Sequence, residues 1–160
     1  MSDKTPITSA IRFLNEKKIY YSPHLYEYEE KGGTKLSAEK LGVDEHVVVK
    51  TIVLEDEKRN PLIVLMHGDM EISAKKLART LNVKSISPCS PDVVLKHTGY
   101  LVGGCSPFGT KKRLPVYIEK SILDLNIIYI NGGKRGFLVS LNPKVLLETL
   151  NPAIVEVGIK

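Results

Sequence analysis

The sequence has no hydrophobic run long enough to cross a membrane, which takes roughly 18 apolar residues in a row. Its first residues include an acid and lack an apolar core with a small-residue cleavage site, so we expect no signal peptide. It has only two cysteines, Cys89 and Cys105, whose spacing fits neither a disulfide framework nor a CxxC motif. We therefore expect a cytoplasmic protein with both thiols reduced and no contact with membranes.

Motifs for common cofactors and for protein nucleophiles are missing as well. Neither G-x-G-x-x-G nor G-x-x-x-x-G-K-[ST] occurs, so the usual nucleotide-binding loops are excluded. The four histidines are scattered without the spacing of metal ligands, and Ser106 does not lie in a G-x-S-x-G motif. The sequence predicts no cofactor and no metal, and an enzyme of this kind would work without an obvious nucleophile of its own.

The composition is that of an ordinary globular protein. The 160 residues are 42% hydrophobic and 26% charged, which fits a single domain spanning residues 1–160. The formal net charge of +5 indicates a basic protein, but the positions of the cations decide whether phosphates are bound.

Hydrophobic periodicity predicts helices mixed with strands, several of which are joined by hairpins. Helices are predicted over 5–14, 37–41, 73–81, 90–98 and 142–150. Strands are predicted over 19–28 (an edge strand), 47–54, 61–66, 116–118, 127–130, 137–141 and 155–159, with a turn at Asn131-Gly132-Gly133. This order favours a mixed α/β (α+β) fold with one largely antiparallel sheet flanked by helices.

Lys50 lies in the middle of a β-branched strand, Val47 to Leu54. The period of two places it on the same face as Val48, Ile52 and Leu54. Two interpretations are open, because burying an unpaired ammonium is costly. Either the lysine stem follows the sheet while its head reaches water, or the amine binds a carboxyl, phosphate or hydroxyl group of a ligand.

A glycine-rich loop runs from Gly99 to Gly109. Paired glycines, Gly103 and Gly104, precede Ser106-Pro107 and allow the backbone to approach a ligand closely. Backbone N–H groups in such a loop could bind a carbonyl oxygen or an oxyanion. An ordinary turn between strands is the alternative.

Two basic clusters lie beside glycines: Lys111-Lys112-Arg113 and Lys134-Arg135. Such clusters suit contacts to the phosphates of a nucleic acid, although either cluster taken alone is more typical of solvated surface charge.

Four tyrosines surround His24 in the predicted edge strand, namely Tyr20, Tyr21, Tyr26 and Tyr28. They could wall a pocket or stack on a base, or they could be half-buried residues of the sheet.

Together these features resemble the YbaK/EbsC family of aminoacyl-tRNA deacylases, relatives of the editing domain inserted in bacterial prolyl-tRNA synthetases. The resemblance runs from the first helix to about Leu141. It is carried by Val49-Lys50-Thr51, Thr98 to Gly104 (TGYLVGG), Ser106-Pro107, Lys111 to Arg113 and Gly132 to Gly136 (GGKRG). Asn131 departs from the pattern, because serine is expected there in close relatives.

The resemblance implies roles for individual residues. Lys50 matches the essential lysine of the family, and Gly103 to Pro107 match its G-x-x-x-P loop, so Lys50 and Gly103 are the expected catalytic residues. Substrate contacts are expected from Tyr26, Thr51, Gly104, Ser106, Pro107 and Asn131. Contacts to the tRNA backbone are expected from Lys111, Lys112, Arg113, Lys134 and Arg135.

The resemblance also implies an activity, the removal of cysteine from Cys-tRNA(Pro) mischarged by prolyl-tRNA synthetase. The cysteine thiol would attack its own ester and release a thiolactone, which explains the lack of a protein nucleophile. Prolyl-tRNA synthetase is a further expected partner, and a monomer is the favoured state. A non-catalytic module that docks on tRNA or a synthetase and an alanine-specific hydrolase of the same fold remain alternatives.

Overall fold

Helices and strands alternate irregularly in the computed structural model, which describes residues 5–160. The α-helices are α1 (Ser9–Glu16), α2 (Gly33–Leu41), α3 (Ala74–Leu81), α4 (Pro91–Thr98) and α5 (Lys144–Leu150). The strands are β1 (Ser22–Leu25), β2 (Val48–Asp56), β3 (Pro61–His67), β4 (Glu71–Ile72), β5 (Ile86–Pro88), β6 (Val116–Glu119), β7 (Ile128–Lys134), β8 (Phe137–Leu141), β9 (Ala153–Val155) and β10 (Gly158–Ile159). Short 3₁₀ helices cover Glu45–Val47 and Lys120–Asp124. Residues 1–4, on which part of the signal-peptide prediction rests, lie outside the described range.

Eight strands form one mixed sheet in the order β1-β8-β7-β2-β3-β6-β9, with β5 pairing to β2. Four pairings are antiparallel: β1 with β8, β7 with β8, β2 with β3, and β2 with β5. Three are parallel: β2 with β7, β3 with β6, and β6 with β9. The mixed α/β fold expected from the sequence is confirmed, and β1 lies at the edge of the sheet as predicted.

The sheet opens beside the middle of β2. On that side β2 pairs with β7 only at Val48 and Val49, and with β5 only from Leu54 to Asp56. Residues 50–53 therefore have no strand partner there. Just beyond the last residue of β7 that pairs with β2, β7 also shifts its register with β8, between Asn131 and Lys134.

Side chains alternate between two faces along β2 and pack into different hydrophobic clusters. Val49 and Val53 belong to a large cluster that includes residues of α1, α4 and α5. Leu54 belongs to a cluster with α3, whereas Val48 packs with Ala38 of α2. Lys50 lies between these last two clusters, on the face predicted for it.

Three predicted boundaries are wrong, and each has an identifiable structural reason. Helix α1 starts at Ser9 instead of near Pro6, because the Thr8 side chain caps it by accepting from the Ile11 N–H at 3.0 Å. No turn occurs at 131–133, since β7 continues to Lys134 through a bulge. The predicted strand 155–159 is divided in two, because buried Glu119 accepts from the backbone N–H groups of Val157 and Gly158.

The strand predicted over 137–141 is present with those bounds as β8, the remaining predicted elements are present with shifted ends, and the sequence missed the two short strands β4 and β5. No helix in residues 5–160 is both long enough and apolar enough to span a membrane.

Candidate functional site

A cavity of about 760 Å³ lies at the opening in the sheet. Its walls come from the segment after β1, from α2, from the first half of β2, from α4, from the glycine loop and from β7. Of the predicted site residues, the cavity is lined by Tyr26, Lys50, Thr51, Gly103, Asn131 and Arg135. The structure therefore brings together residues that are up to 109 positions apart in the printed sequence, from 26 to 135.

Thr51 lies in the cavity wall, at the opening in the sheet. The Val48 carbonyl accepts from Gly68 N–H on the β3 side, and the Val53 carbonyl accepts from Cys89 N–H on the opposite side. Because backbone groups alternate in direction along an antiparallel strand, the N–H and C=O of Thr51 face the opening. Its hydroxyl is buried and has no hydrogen-bond partner among the described residues. A buried polar group of this kind is normally satisfied, so a ligand atom is a natural partner.

Lys50 enters the cavity from the other face of β2. Its side chain is 23% exposed, and its Nζ lies 3.6 Å from a carboxylate oxygen of Glu71. Glu71 itself is 75% exposed, so this ion pair is weak and leaves the ammonium available to a ligand. The apolar surroundings of the stem and the open end of the cavity together fit an anchor for an anionic or carbonyl group.

Tyr26 and Tyr28 form part of one wall. Tyr26 packs with Ala38, Val48 and Leu138, and its backbone N–H donates to the Gly136 carbonyl. Burial, followed by the neighbouring Tyr28, raises the pKa of Tyr26, so its hydroxyl is a neutral hydrogen-bonding group at physiological pH. The tyrosine-rich segment therefore walls a pocket here, whereas Tyr20 is exposed and lies outside the lining residues.

The glycine loop contains a tight turn from Leu101 to Gly104. The turn is closed by Gly104 N–H, which donates to the Leu101 carbonyl at 2.9 Å. Gly103 occupies its third position with φ +93°, a value that the third position of a type II turn requires and that glycine adopts without strain. Gly104 lies outside the lining and packs against the backbone of Lys134 and Arg135.

Donors hold three successive carbonyls of this turn. Besides the Leu101 carbonyl, the Gly103 carbonyl accepts from the Asn131 amide at 3.2 Å, and the Val102 carbonyl accepts from Arg135 Nε at 3.0 Å. Among residues 5–160, nothing accepts from the Gly103 N–H. The loop thus has its carbonyls occupied while this donor remains unpaired.

Ser106 and Pro107 are buried and do not line the cavity. The Ser106 hydroxyl accepts from Phe108 N–H at 3.1 Å, which stabilises the chain after the loop. Like Gly104, these two residues support the loop from behind and do not contact the cavity. Of the G-x-x-x-P segment, only Gly103 and Cys105 reach the lining.

Neither cysteine is activated. Burial raises the pKa of Cys105 to about 11, and burial with the nearby Glu55 raises that of Cys89 to about 12. Both thiols are therefore protonated at neutral pH and are poor nucleophiles, since the thiolate is the reactive form. None of the described lining residues is a histidine that could deprotonate Cys105.

The predicted tRNA contacts divide into two groups. Lys111, Lys112, Arg113 and Lys134 are exposed and lie outside the cavity lining. Arg135 lines the cavity, and its guanidinium lies 5.3 Å from the centre of the Tyr28 ring. Arg135 thus contacts the glycine loop and an aromatic side chain instead of facing only solvent.

Sequence reasoning missed several lining residues. Lys31 and the carboxylates of Glu29, Glu30 and Asp92 add charge, and Leu95, Leu101 and Val102 add exposed apolar surface. The helix cap at Ser90-Pro91 gave a signal that α4 starts here, but no motif indicated that its first turn faces the cavity.

A group with metal-ligand chemistry, His46, His67 and Asp69, lies away from the cavity lining. The Nδ1–H of His67 donates to the His46 carbonyl at 2.8 Å, and its Nε2 bonds with the Ser121 hydroxyl at 2.7 Å. Because both ring nitrogens are engaged, His67 has no free lone pair for a metal ion. This group stabilises the end of β3.

Known proteins are similar to this chain in both sequence and fold. Residues 30–149 match the family model described as "Aminoacyl-tRNA editing domain". The chain is 30% identical over 154 residues to the "Putative Cys-tRNA(Pro)/Cys-tRNA(Cys) deacylase EbsC" of Enterococcus faecalis, covering 96% of this chain and 94% of that protein. It is also 30% identical over 120 residues to the "Proline--tRNA ligase" of Thermodesulfovibrio yellowstonii, covering 75% of this chain but only 19% of the ligase.

A solved structure confirms the architecture. The crystal structure of "a putative trans-editing enzyme for prolyl tRNA synthetase" superposes with a TM-score of 0.83 at 22% identity, over 98% of this chain and 100% of that one. At that identity the likeness establishes the fold, while the family model and the Enterococcus relative establish the kinship. The chain belongs to the aminoacyl-tRNA editing domain family.

Proposed function

We propose that this protein is an aminoacyl-tRNA deacylase that removes cysteine from mischarged Cys-tRNA(Pro). The carrying observation is a cavity that combines the Lys50 ammonium with the unpaired N–H of Gly103 but whose described lining holds no histidine and no activated thiol. An ester bound there would meet groups that orient and polarise it, while the nucleophile would come from the substrate. A cysteinyl ester carries such a nucleophile in its own thiol.

The proposed step is an attack of the substrate sulfur on the ester carbonyl carbon. The new C–S bond closes a thiolactone, the C–O bond to the terminal ribose breaks, and the thiol proton ends on the released ribose hydroxyl. Water later opens the thiolactone to cysteine. Holding the thiol and the carbonyl in contact would supply most of the acceleration, since oriented intramolecular attack is worth roughly 7–11 kcal/mol.

The lining residues then take distinct roles. The Gly103 N–H donates to the oxygen that becomes negative, and a single donor of this kind is worth about 10²–10³ in rate. Lys50 anchors the aminoacyl group or the terminal ribose and phosphate region. Thr51 and Tyr26 supply hydroxyls to the bound ester, and Asn131 supports the loop through the Gly103 carbonyl.

An editing enzyme is needed in addition to the synthetase, because a synthetase site built for proline discriminates poorly against smaller amino acids. A difference of a few atoms gives only about 10–200-fold selectivity. The likeness to a segment of a "Proline--tRNA ligase" supports tRNA(Pro) as the RNA and prolyl-tRNA synthetase as a partner. We propose that the protein acts in the cytoplasm, as a single domain and as a monomer.

Deacylation of matched substrates tests the proposal. We expect purified protein to release cysteine from Cys-tRNA(Pro) much faster than alanine from Ala-tRNA(Pro), because alanine has no thiol. Release is followed with labelled amino acid against a buffer control. Faster release of alanine would assign the protein to the alanine-specific hydrolases. Release of neither amino acid would contradict an enzymatic function and favour a non-catalytic binding module.

The exposed basic cluster Lys111-Lys112-Arg113 gives a further prediction. If these side chains contact phosphates, tRNA affinity falls with rising salt by a log–log slope of about −0.7 to −0.9 per contact. Replacing all three by alanine should flatten that slope without slowing cleavage of a cysteinyl ester of adenosine. The affinity is measured by filter binding at several salt concentrations. An unchanged slope would place the cluster in solvent and outside the tRNA contact.

A further inference from the structure

The direction of the Gly103 N–H depends on one peptide group. In a four-residue turn such as Leu101 to Gly104, the middle peptide can take two opposite orientations, and glycine at the third position tolerates both. The observed φ of +93° at Gly103 corresponds to one of them. Because the C=O and N–H of a planar trans peptide point in opposite directions, the Val102 carbonyl and the Gly103 N–H move together. Whatever holds the carbonyl therefore aims the N–H.

Arg135 holds that carbonyl. Its Nε–H donates to the Val102 oxygen at 3.0 Å, while its guanidinium lies over the Tyr28 ring at 5.3 Å from the centre. Gly103 packs closely against the same two side chains. A Cβ added there would lie 2.7 Å from the Tyr28 hydroxyl and 3.4 Å from Arg135 Nε. The three residues thus form a single contact layer at the cavity wall.

We propose that Arg135 is a positioning residue, which fixes the Val102–Gly103 peptide so that the Gly103 N–H faces the reacting carbonyl. This inference rests on the proposed deacylase function and deepens it. It replaces the phosphate contact that the sequence predicted for Arg135. Lysine cannot substitute, because its ammonium is a point charge without the planar Nε–H that donates and stacks at once.

The measurable consequence is a loss of rate with little loss of tRNA affinity. Removing one oxyanion donor costs about 10²–10³ in kcat, and a misdirected donor should cost part of that. We expect Arg135→Lys to lower kcat roughly 10–100-fold on Cys-tRNA(Pro) and on a cysteinyl ester of adenosine, with KM for the tRNA nearly unchanged. Lys144→Ala, which removes an exposed charge on α5, is the matched control and should behave as wild type.

A readout without substrate separates positioning from other roles. In ¹⁵N-labelled protein, the amide resonance of Gly103 should shift or broaden in Arg135→Lys, because its peptide is no longer held in one orientation. It should remain unchanged in Lys144→Ala. Tyr28→Leu, which removes only the ring beneath the guanidinium, should give smaller changes in the same direction for both rate and resonance. This milder variant decides the question if Arg135→Lys folds poorly, as judged by circular dichroism.

The two failures are distinguishable. If wild-type protein cleaves neither ester, the deacylase proposal fails, and the Gly103 resonance alone decides whether Arg135 fixes the peptide. If wild type is active and Arg135→Lys raises KM for tRNA while leaving cleavage of the small ester intact, Arg135 is a phosphate contact. An unmoved Gly103 resonance together with full activity would equally overturn the inference.

Discussion

Lys50→Ala is expected to abolish deacylation while the protein stays folded. The ammonium reaches the cavity from the first half of β2, and no other lysine lies on that strand. Loss of an anchor that holds the ester against the Gly103 N–H should cost roughly 10²-fold or more, because small misplacements of a reacting group have effects of that size. Cleavage of Cys-tRNA(Pro) under single-turnover conditions gives the rate.

Stability should change little in this variant. The ion pair between Lys50 and the exposed Glu71 is of the weak surface kind, worth about 0–1 kcal/mol. Melting followed by far-UV circular dichroism checks this. Lys50→Met keeps the apolar stem and removes only the charge, so it should be as inactive as Lys50→Ala. Lys58→Ala, in the exposed β2–β3 hairpin, is the neutral control. Wild-type turnover in Lys50→Met would show that the ammonium is not needed.

The sequence was sufficient to place Lys50 on a face of β2, because alternation along a single strand is a local property. The helices predicted over 73–81 and 90–98 lie within one residue of α3 and α4 for the same reason. The opening in the sheet could not be predicted, because it results from long-range pairing. It lies between the end of the β2–β7 pairing at Val49 and the start of the β2–β5 pairing at Leu54.

In the glycine loop, too, the sequence predicted the local feature but not the long-range contacts. The sequence indicated that Gly103 and Gly104 allow the backbone to approach a ligand closely, but it could not show which of the two lines the cavity. In the structure Gly104 is occupied by the β7–β8 turn and its N–H closes the Leu101 turn, so of the two glycines only Gly103 lines the cavity, and its N–H has no acceptor among the described residues. Likewise, the GGKRG segment indicated cations, whereas the contact of Arg135 with Val102 depends on residues 33 positions apart.

The second large effect concerns the sulfur of the substrate. We expect cysteine to be released from Cys-tRNA(Pro) at least roughly 10²-fold faster than serine from the matching Ser-tRNA, because a hydroxyl is a far weaker nucleophile than a thiol. The two amino acids differ in one atom and fill nearly the same volume, so binding alone should not separate them this far. Single-turnover rates on the same tRNA(Pro), charged with either amino acid, give the comparison.

The protein thiols provide the control for this prediction. Cys105→Ala and Cys89→Ala should keep most of the activity, since burial keeps both thiols protonated and Cys89 lies outside the cavity lining. Equal release of serine would point to a water molecule activated by one of the lining carboxylates Glu29, Glu30 or Asp92. Loss of activity in Cys105→Ala with an intact fold would point instead to a protein nucleophile.

The identity of the first product tests the central claim most directly. A reaction of the protein with Cys-tRNA(Pro) is quenched in acid at early times. The released small molecules are then separated, and their masses are determined by mass spectrometry. Attack by the substrate thiol predicts a thiolactone, one water lighter in mass than cysteine, that appears first and decays to cysteine as the time before the quench is lengthened. Free cysteine as the first product, with no lighter species at the shortest times, would contradict the account.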